Sequence, residues 1–306
     1  MTPREIIAAA WAITTREPSL RRWAFTSSLL ETLLKIKLVG YQLYFAYEYF
    51  FAGGQAGFFD VEIKLYHAVP LGVFLTIIIV FILMVITEFF FPHLCTGAII
   101  GLAAKSYRKE EVKGGLVLGL YNFFAIFAIH EFLTLGSVST VITILSLALR
   151  YFPGFMGTLA VTMMLILFCC SLVLRFFFSF AEEAVVTQKL GIFAAIGRSF
   201  KLIVSHLSHI VFLLLLLFVI SLRIVVNAII VILIPGIIIG LGLLLATIFP
   251  VSVSYTIAGI AGLGLIIAAS YLFAYIHAFK VTVWTITYLE LIKHKDLDVI
   301  VGTEEI

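Results

Sequence analysis

The sequence predicts an all-α polytopic membrane protein, a single integral domain of about six transmembrane helices arranged as three hairpins. Three observations carry that prediction. Hydrophobic residues make up 63% of the chain and charged residues only 12%, where soluble domains carry about 45–50% and roughly 25%. Mean hydropathy is +1.19. Apolar runs of about 20 residues, the length a helix needs to cross a bilayer, recur between basic clusters.

The elements follow in order. Residues 1–22 form a cytoplasmic interfacial segment carrying Arg4, Arg16, Arg21 and Arg22; its charges interrupt any apolar core, so it reads as no cleavable signal. Spans are expected at about 23–51, 67–91, 114–133, 157–180, 209–234 and 255–288. The first is the weakest, because Glu31, Lys35, Lys37, Gln42 and Glu48 interrupt it. A long tilted helix accommodates them, with Glu31 and Lys35 as an i,i+4 pair and the lysine heads snorkelling inward. Two short outer segments, about 136–152 and 235–249, are too short at about 1.5 Å per residue to cross a core of about 30 Å. They are expected to be interfacial or re-entrant. Residues 289–306 form a cytoplasmic tail.

Charge sets the orientation. Lys105, Arg108, Lys109 and Lys113 follow the second run, Lys189, Arg198 and Lys201 follow the fourth, and Lys280, Lys293 and Lys295 lie near the end. The opposite loops hold only Lys64 and Arg150. Positive residues favour the cytoplasmic side, so both termini are expected inside a bacterial inner membrane, with basic amphipathic helices on its inner face. An internal repeat is also readable. Lys105-Ser106-Tyr107-Arg108 matches Arg198-Ser199-Phe200-Lys201, and Phe152-Pro153 matches Phe249-Pro250.

The stretch AEEAVVTQKLGIFAAIGRSFKLIVSHLSHIVFLLL (181–215) follows one span and enters another. Its Glu182, Glu183, Gly191, Ala194, Ala195, Arg198 and Ser199 resemble the signature segment of bacterial six-span YciC-like proteins. That group includes the membrane domain attached to some glycerophosphodiester phosphodiesterases. GAIIGLAAKSYRKEEV (97–112) is similar to the group's first cytoplasmic segment. The resemblance implies a fold and a compartment rather than an activity, and this chain carries no phosphodiesterase domain.

No catalytic signature stands out. His130-Glu131 lacks the second histidine of H-E-x-x-H. His206 and His209 share a helical face without a neighbouring carboxylate or cysteine, so no metal and no cofactor are expected. Glu182 and Glu183 read as a solvated helix end or a cap, and Cys169 and Cys170 as small core residues. Glu88 and Arg175 are close enough to span ends to snorkel. Arg223 differs: entering at residue 209, it lies about 20 Å deep, with Asn227 one turn further on the same face. Glu131 is placed at a similar height. A guanidinium there is expected to pair with Glu131 or a lipid phosphate in an outward-open cavity, or to snorkel to the outer headgroups.

The function these features imply is non-enzymatic: binding or handling lipid or another amphiphile, in envelope homeostasis. A small secondary transporter and a scaffold subunit of a larger membrane complex are the alternatives. The expected site residues are Arg223, Asn227 and Glu131, with Lys189, Arg198, Ser199, Lys201, Lys105 and Arg108 as an inner-face basic segment. Membrane phospholipid is the expected partner, with a protein partner under the scaffold reading. A formal charge of +3 without a basic, aromatic-interleaved stripe excludes nucleic acid.

Overall fold

The computed structural model describes residues 2–51, 59–134, 154–208 and 233–293, with a few single positions between them. All regular structure among the described residues is helical. In chain order the helices are α1 (Pro3–Arg16), α2 (Pro18–Phe50), α3 (Asp60–Ala68), α4 (Leu71–Tyr107) and α5 (Gly115–Thr134). There follow α6 (Phe155–Phe177), α7 (Ala181–Gln188), α8 (Ile192–Ser205), α9 (Leu233–Leu245) and α10 (Val251–Lys293). Three stretches are long and apolar enough to cross a membrane: Leu71–Tyr107, Phe155–Gln188 and Val251–Lys293. Gly115–Glu131 and Leu233–Leu245 are shorter apolar helices. The run at 209–234 and the outer segment at 136–152 lie mostly outside the described residues, whereas the segment at 235–249 begins within α9.

Much apolar surface faces outward. On α4, Val73, Leu75, Ile77, Ile79, Ile82 and Leu83 are all exposed, as are Met163, Leu165, Ile166 and Leu167 on α6. Continuous apolar surface of this kind cannot be left to water, and its natural solvent is the bilayer. Cys169 and Cys170 are exposed on α6 as well, so they belong to this outer face and not to the core.

The chain divides into two compact units. The first comprises residues 1–27, 93–225 and 272–306. Its core joins Ile6, Ala10 and Ile13 of α1 to Ile99 and Ala103 of α4, Leu202 and Ile203 of α8, and Val283 and Tyr288 of α10. Thr2 caps α1 through a reciprocal box with Glu5, with Pro3 at the first turn, an arrangement that satisfies two orphan backbone donors. The buried face of α1 recurs every three to four residues and packs into this unit's core. Within this unit α4 and α5 touch at backbone distance. Gly97 and Gly101 of α4 face the other helix near Gly115 and Gly119, both pairs in the small-xxx-small spacing that lets membrane helices approach. A Cβ at Gly119 would stand 2.4 Å from the Leu94 carbonyl oxygen.

The second unit comprises residues 28–92 and 226–271. Here the polar residues that interrupt α2 find partners. Glu31 and Lys35 form the expected i,i+4 pair at 3.0 Å. Lys37 Nζ donates to both carboxylate oxygens of Glu88 at 2.6 and 2.7 Å. Tyr41 donates to Glu62 at 2.7 Å, and Lys64 donates to Tyr44 and Glu48. Lys37, Tyr41, Tyr44 and Glu48 share one helical face by their spacing of three and four. The Glu88 side chain is 1% exposed, so it is a buried ion-pair member and not a snorkelling end residue. Gly242 packs against the Tyr255 ring, whereas Gly236 and Gly240 meet nothing within 4 Å.

The two stretches matched as a repeat differ locally. Lys105–Tyr107 close α4 and Arg108 begins a turn, whereas Arg198–Lys201 lie inside α8.

Two outcomes follow from this packing. Gly119→Ala should destabilise the solubilised protein by about 1–3 kcal/mol, the cost of overpacking against backbone, while Gly240→Ala should be neutral within about 0.5 kcal/mol. Thermal unfolding in detergent measures both. Lys37→Met should cost about 3–5 kcal/mol by stranding the Glu88 carboxylate, and the double Lys37→Met, Glu88→Met change should recover most of it. Strictly additive losses in that double-mutant cycle would remove the ion pair from the account.

Candidate functional site

Four helices of the first unit bring acids and imidazoles together in apolar surroundings. His93 follows Pro92 on α4 and is 6% exposed. Because α5 runs close along α4 on its glycines, His130 and Glu131 arrive beside it. His93 Nε2 lies 3.2 Å from Glu131 Oε1, and the His93 and His130 rings meet edge to face with centroids 4.7 Å apart. Phe127, one turn back on α5, closes another side of the His93 ring at 5.2 Å. His130 Nδ1 lies 3.1 Å from Oε1 of Glu182, in the first turn of α7. The proton between them sits on Nδ1 in the tautomer that donates. His93, together with His277 of α10, also lies close enough to act on the Glu182 charge.

The site continues along α7. Glu183 is 4% exposed, and its Oε2 has no hydrogen-bond partner among the described residues. Arg198 of α8 approaches the Tyr288 hydroxyl, which donates to Gln188 at 2.9 Å. Glu183 is therefore a core group near Tyr288, and Glu182 a partly buried one at an imidazole, rather than the solvated helix end expected from adjacency on a helix. Two adjacent carboxylates can both turn inward here because α7 is surrounded: Ala181, Ala184, Val185 and Val186 are buried with them.

The residues singled out by sequence take varied places. Arg223 and Asn227 lie outside the described residues. Glu131 faces His93. Ser199 is a structural clip: its Oγ donates to the Phe177 carbonyl at 2.8 Å and accepts from the Phe180 N–H at 3.1 Å, fastening the α6–α7 turn onto α8. Arg198 points into the core network, with its Nε buried, while Lys201 is exposed. Lys105 donates to the Lys113 carbonyl across the α4–α5 turn at 2.9 Å. Arg108 is exposed beyond α4, and Lys189 ends α7 in the left-handed conformation at φ 55°. His206 Nδ1 lies 3.3 Å from the Leu202 carbonyl, and His209 falls outside the described residues.

Chemically, the arrangement can hold, release and pass protons. Imidazole and carboxylate pairs at about 3 Å are within range for proton transfer. Among the described residues no three His, Cys, Asp or Glu side chains converge on a point that could hold a metal. Sequence reasoning missed the cluster because its members, residues 93, 130, 182 and 277, are scattered along the chain. A signal was present: three of the seven histidines sit in or beside apolar runs, where ionisable groups are expensive and functional by default. No family model, no curated protein and no solved structure matches the chain.

Proposed function

We propose that this is a non-enzymatic, proton-linked membrane protein that binds and moves a lipid or another amphiphile, a small carrier in the broad sense. The observation that supports it is the pairing of the buried His93 with Glu131 and of the partly exposed His130 with Glu182, on apolar helices. Carboxylate and histidine chains of this kind serve as proton relays in pumps and transporters. Each proton taken up changes the net charge of a group of side chains held in low dielectric, where charge is costly. Helix packing and protonation are then thermodynamically linked, and that linkage is the minimum a proton-driven cycle requires.

The amphiphile half of the reading is supported by the large exposed apolar faces of α4 and α6. In this proposal the chain spans a bacterial inner membrane six times with both termini inside, because lysine and arginine concentrate in the loops assigned to that side. It uses no cofactor or metal, and phospholipid is its partner. The buried Glu183 and the buried Nε of Arg198 favour internal chemistry over a scaffold role in which such residues face another subunit.

The test is a pH-step measurement on full-length protein reconstituted in liposomes, with charge displacement recorded on a supported membrane. A step through the histidine range, about pH 5 to 8, should give a transient that falls at least about tenfold in Glu182→Gln with His130→Gln. Translocation of a fluorescent phospholipid between leaflets should show the same dependence. A transient of unchanged size in the double variant, with the protein folded, rejects the proposal.

A further inference from the structure

Three helices of the first unit stop at the same place. α4 ends at Tyr107, α7 at Gln188 and α10 at Lys293, and their ends surround a cavity of about 450 Å³. That volume is within the usual range for small-molecule sites, about 300–1,000 Å³. Leu289 and Ile292 give the cavity an apolar wall, and Arg108, Lys109 and Lys293 give it cations. Lys189 follows directly on Gln188, another lining residue.

The charge balance decides what such a cavity prefers. The C-termini of α4 and α7 each contribute about half a negative charge here. Glu290 adds a full one, accepting from Lys293 at 2.5 Å and from Tyr107 at 2.6 Å. Against these stand the three lining cations Arg108, Lys109 and Lys293, of which Lys293 is paired with Glu290. Arg108 and Lys109 make no ion pair among the described residues. They are therefore the lining cations that hold no carboxylate among the described residues.

A second observation is independent of charge. Among the described residues, the non-glycine ones with positive φ are Lys109 at 60° and Lys189 at 55°. Lys109 closes α4 in a Schellman arrangement, with Glu110 N–H donating to the Lys105 carbonyl at 2.9 Å and Lys109 N–H to Ser106 at 3.2 Å. Glycine is the usual occupant of that position, because a side chain there is strained. Both strained positions hold lysine; Lys109 lines the cavity, and Lys189 follows the lining residue Gln188 in sequence. Strain held where a charge is presented is the pattern of a binding site.

We infer that this cavity binds a phosphate group, with Arg108 and Lys109 on the phosphate oxygens and the Leu289–Ile292 wall against the apolar part of the molecule that carries it. As a site for a phospholipid headgroup this rests on the amphiphile half of the proposed function; the histidine–glutamate cluster takes no part in it.

The test titrates the detergent-solubilised full chain with short-chain phosphatidic acid, and separately with inorganic phosphate. Kd for phosphatidic acid should rise at least about tenfold in Arg108→Gln and in Lys109→Gly, the scale of one charge-assisted hydrogen bond. Arg4→Gln, an exposed cation outside the cavity, should leave it unchanged. Lys109→Gly should melt at or above the parent temperature, because glycine relaxes the backbone, so weaker binding cannot be put down to misfolding. Tight binding of inorganic phosphate with the same variant pattern, but none of the lipid, keeps the phosphate site and removes the amphiphile reading. An equal loss in Arg4→Gln, or unchanged affinity in both cavity variants, overturns the site.

Discussion

The contact between α4 and α5 through Gly97, Gly101, Gly115 and Gly119 is the constraint on which the first unit depends. With the Leu94 carbonyl only 2.4 Å from where a Gly119 Cβ would stand, even one methyl group forces the helices apart. A separation of about 1 Å would carry His93 and Glu131 from 3.2 Å beyond the reach of direct proton exchange. The acid–base cluster thus depends on small-residue packing about one to four turns away along α4 and α5. In lipid, where apolar side chains gain nothing by leaving the solvent, such close backbone approach is one of the few forces that hold helices together.

The second unit solves the same problem with charge. α2 carries more polar residues than a lipid-facing helix tolerates, and it pairs them along one face with Glu62, Lys64 and Glu88. The nearly complete burial of Glu88 makes this more than a surface ion pair. Its carboxylate is tolerable only while both oxygens are satisfied. What reads in sequence as interruptions of a span is a complementary polar seam.

Composition made the membrane class legible, and the i,i+4 rule placed Glu31 on Lys35. Helical periodicity gave less, for a physical reason. In water, polar residues mark the outside of a helix; in lipid the outside is apolar too, and periodicity loses its contrast. Polar residues then mark the interior. The soluble-protein rule put Glu182 and Glu183 in solvent, Glu88 at a snorkelling end and Cys169 and Cys170 in the core, and each lies on the opposite side. The inverted rule, applied to His93, His130, Glu182 and His277, points inward for all four. It still does not say that they meet, because that depends on the glycine crossing and on the Ser199 clip that sets the start of α7. Arg223 and Asn227, which carried most weight in the sequence, lie outside the described residues.

One short element connects the two chemically distinct places in the first unit. α7 carries Glu182 in its first turn, against His130, and ends at Gln188 on the basic cavity. The rise over those six residues is about 9 Å, too short a distance for a helix to bend. Its two ends are held differently. At one end the hold is an imidazole–carboxylate pair whose strength changes with a proton. At the other it is the Tyr288 hydroxyl bond to Gln188, backed by Arg198. An eight-residue helix joins these two holds as one short piece, and Thr187 and Gln188 are its cavity-lining residues. α4 and α10 also reach both places, but they are 37 and 43 residues long and extend well beyond the cluster. Their ends are therefore much harder to shift by one pair than those of α7.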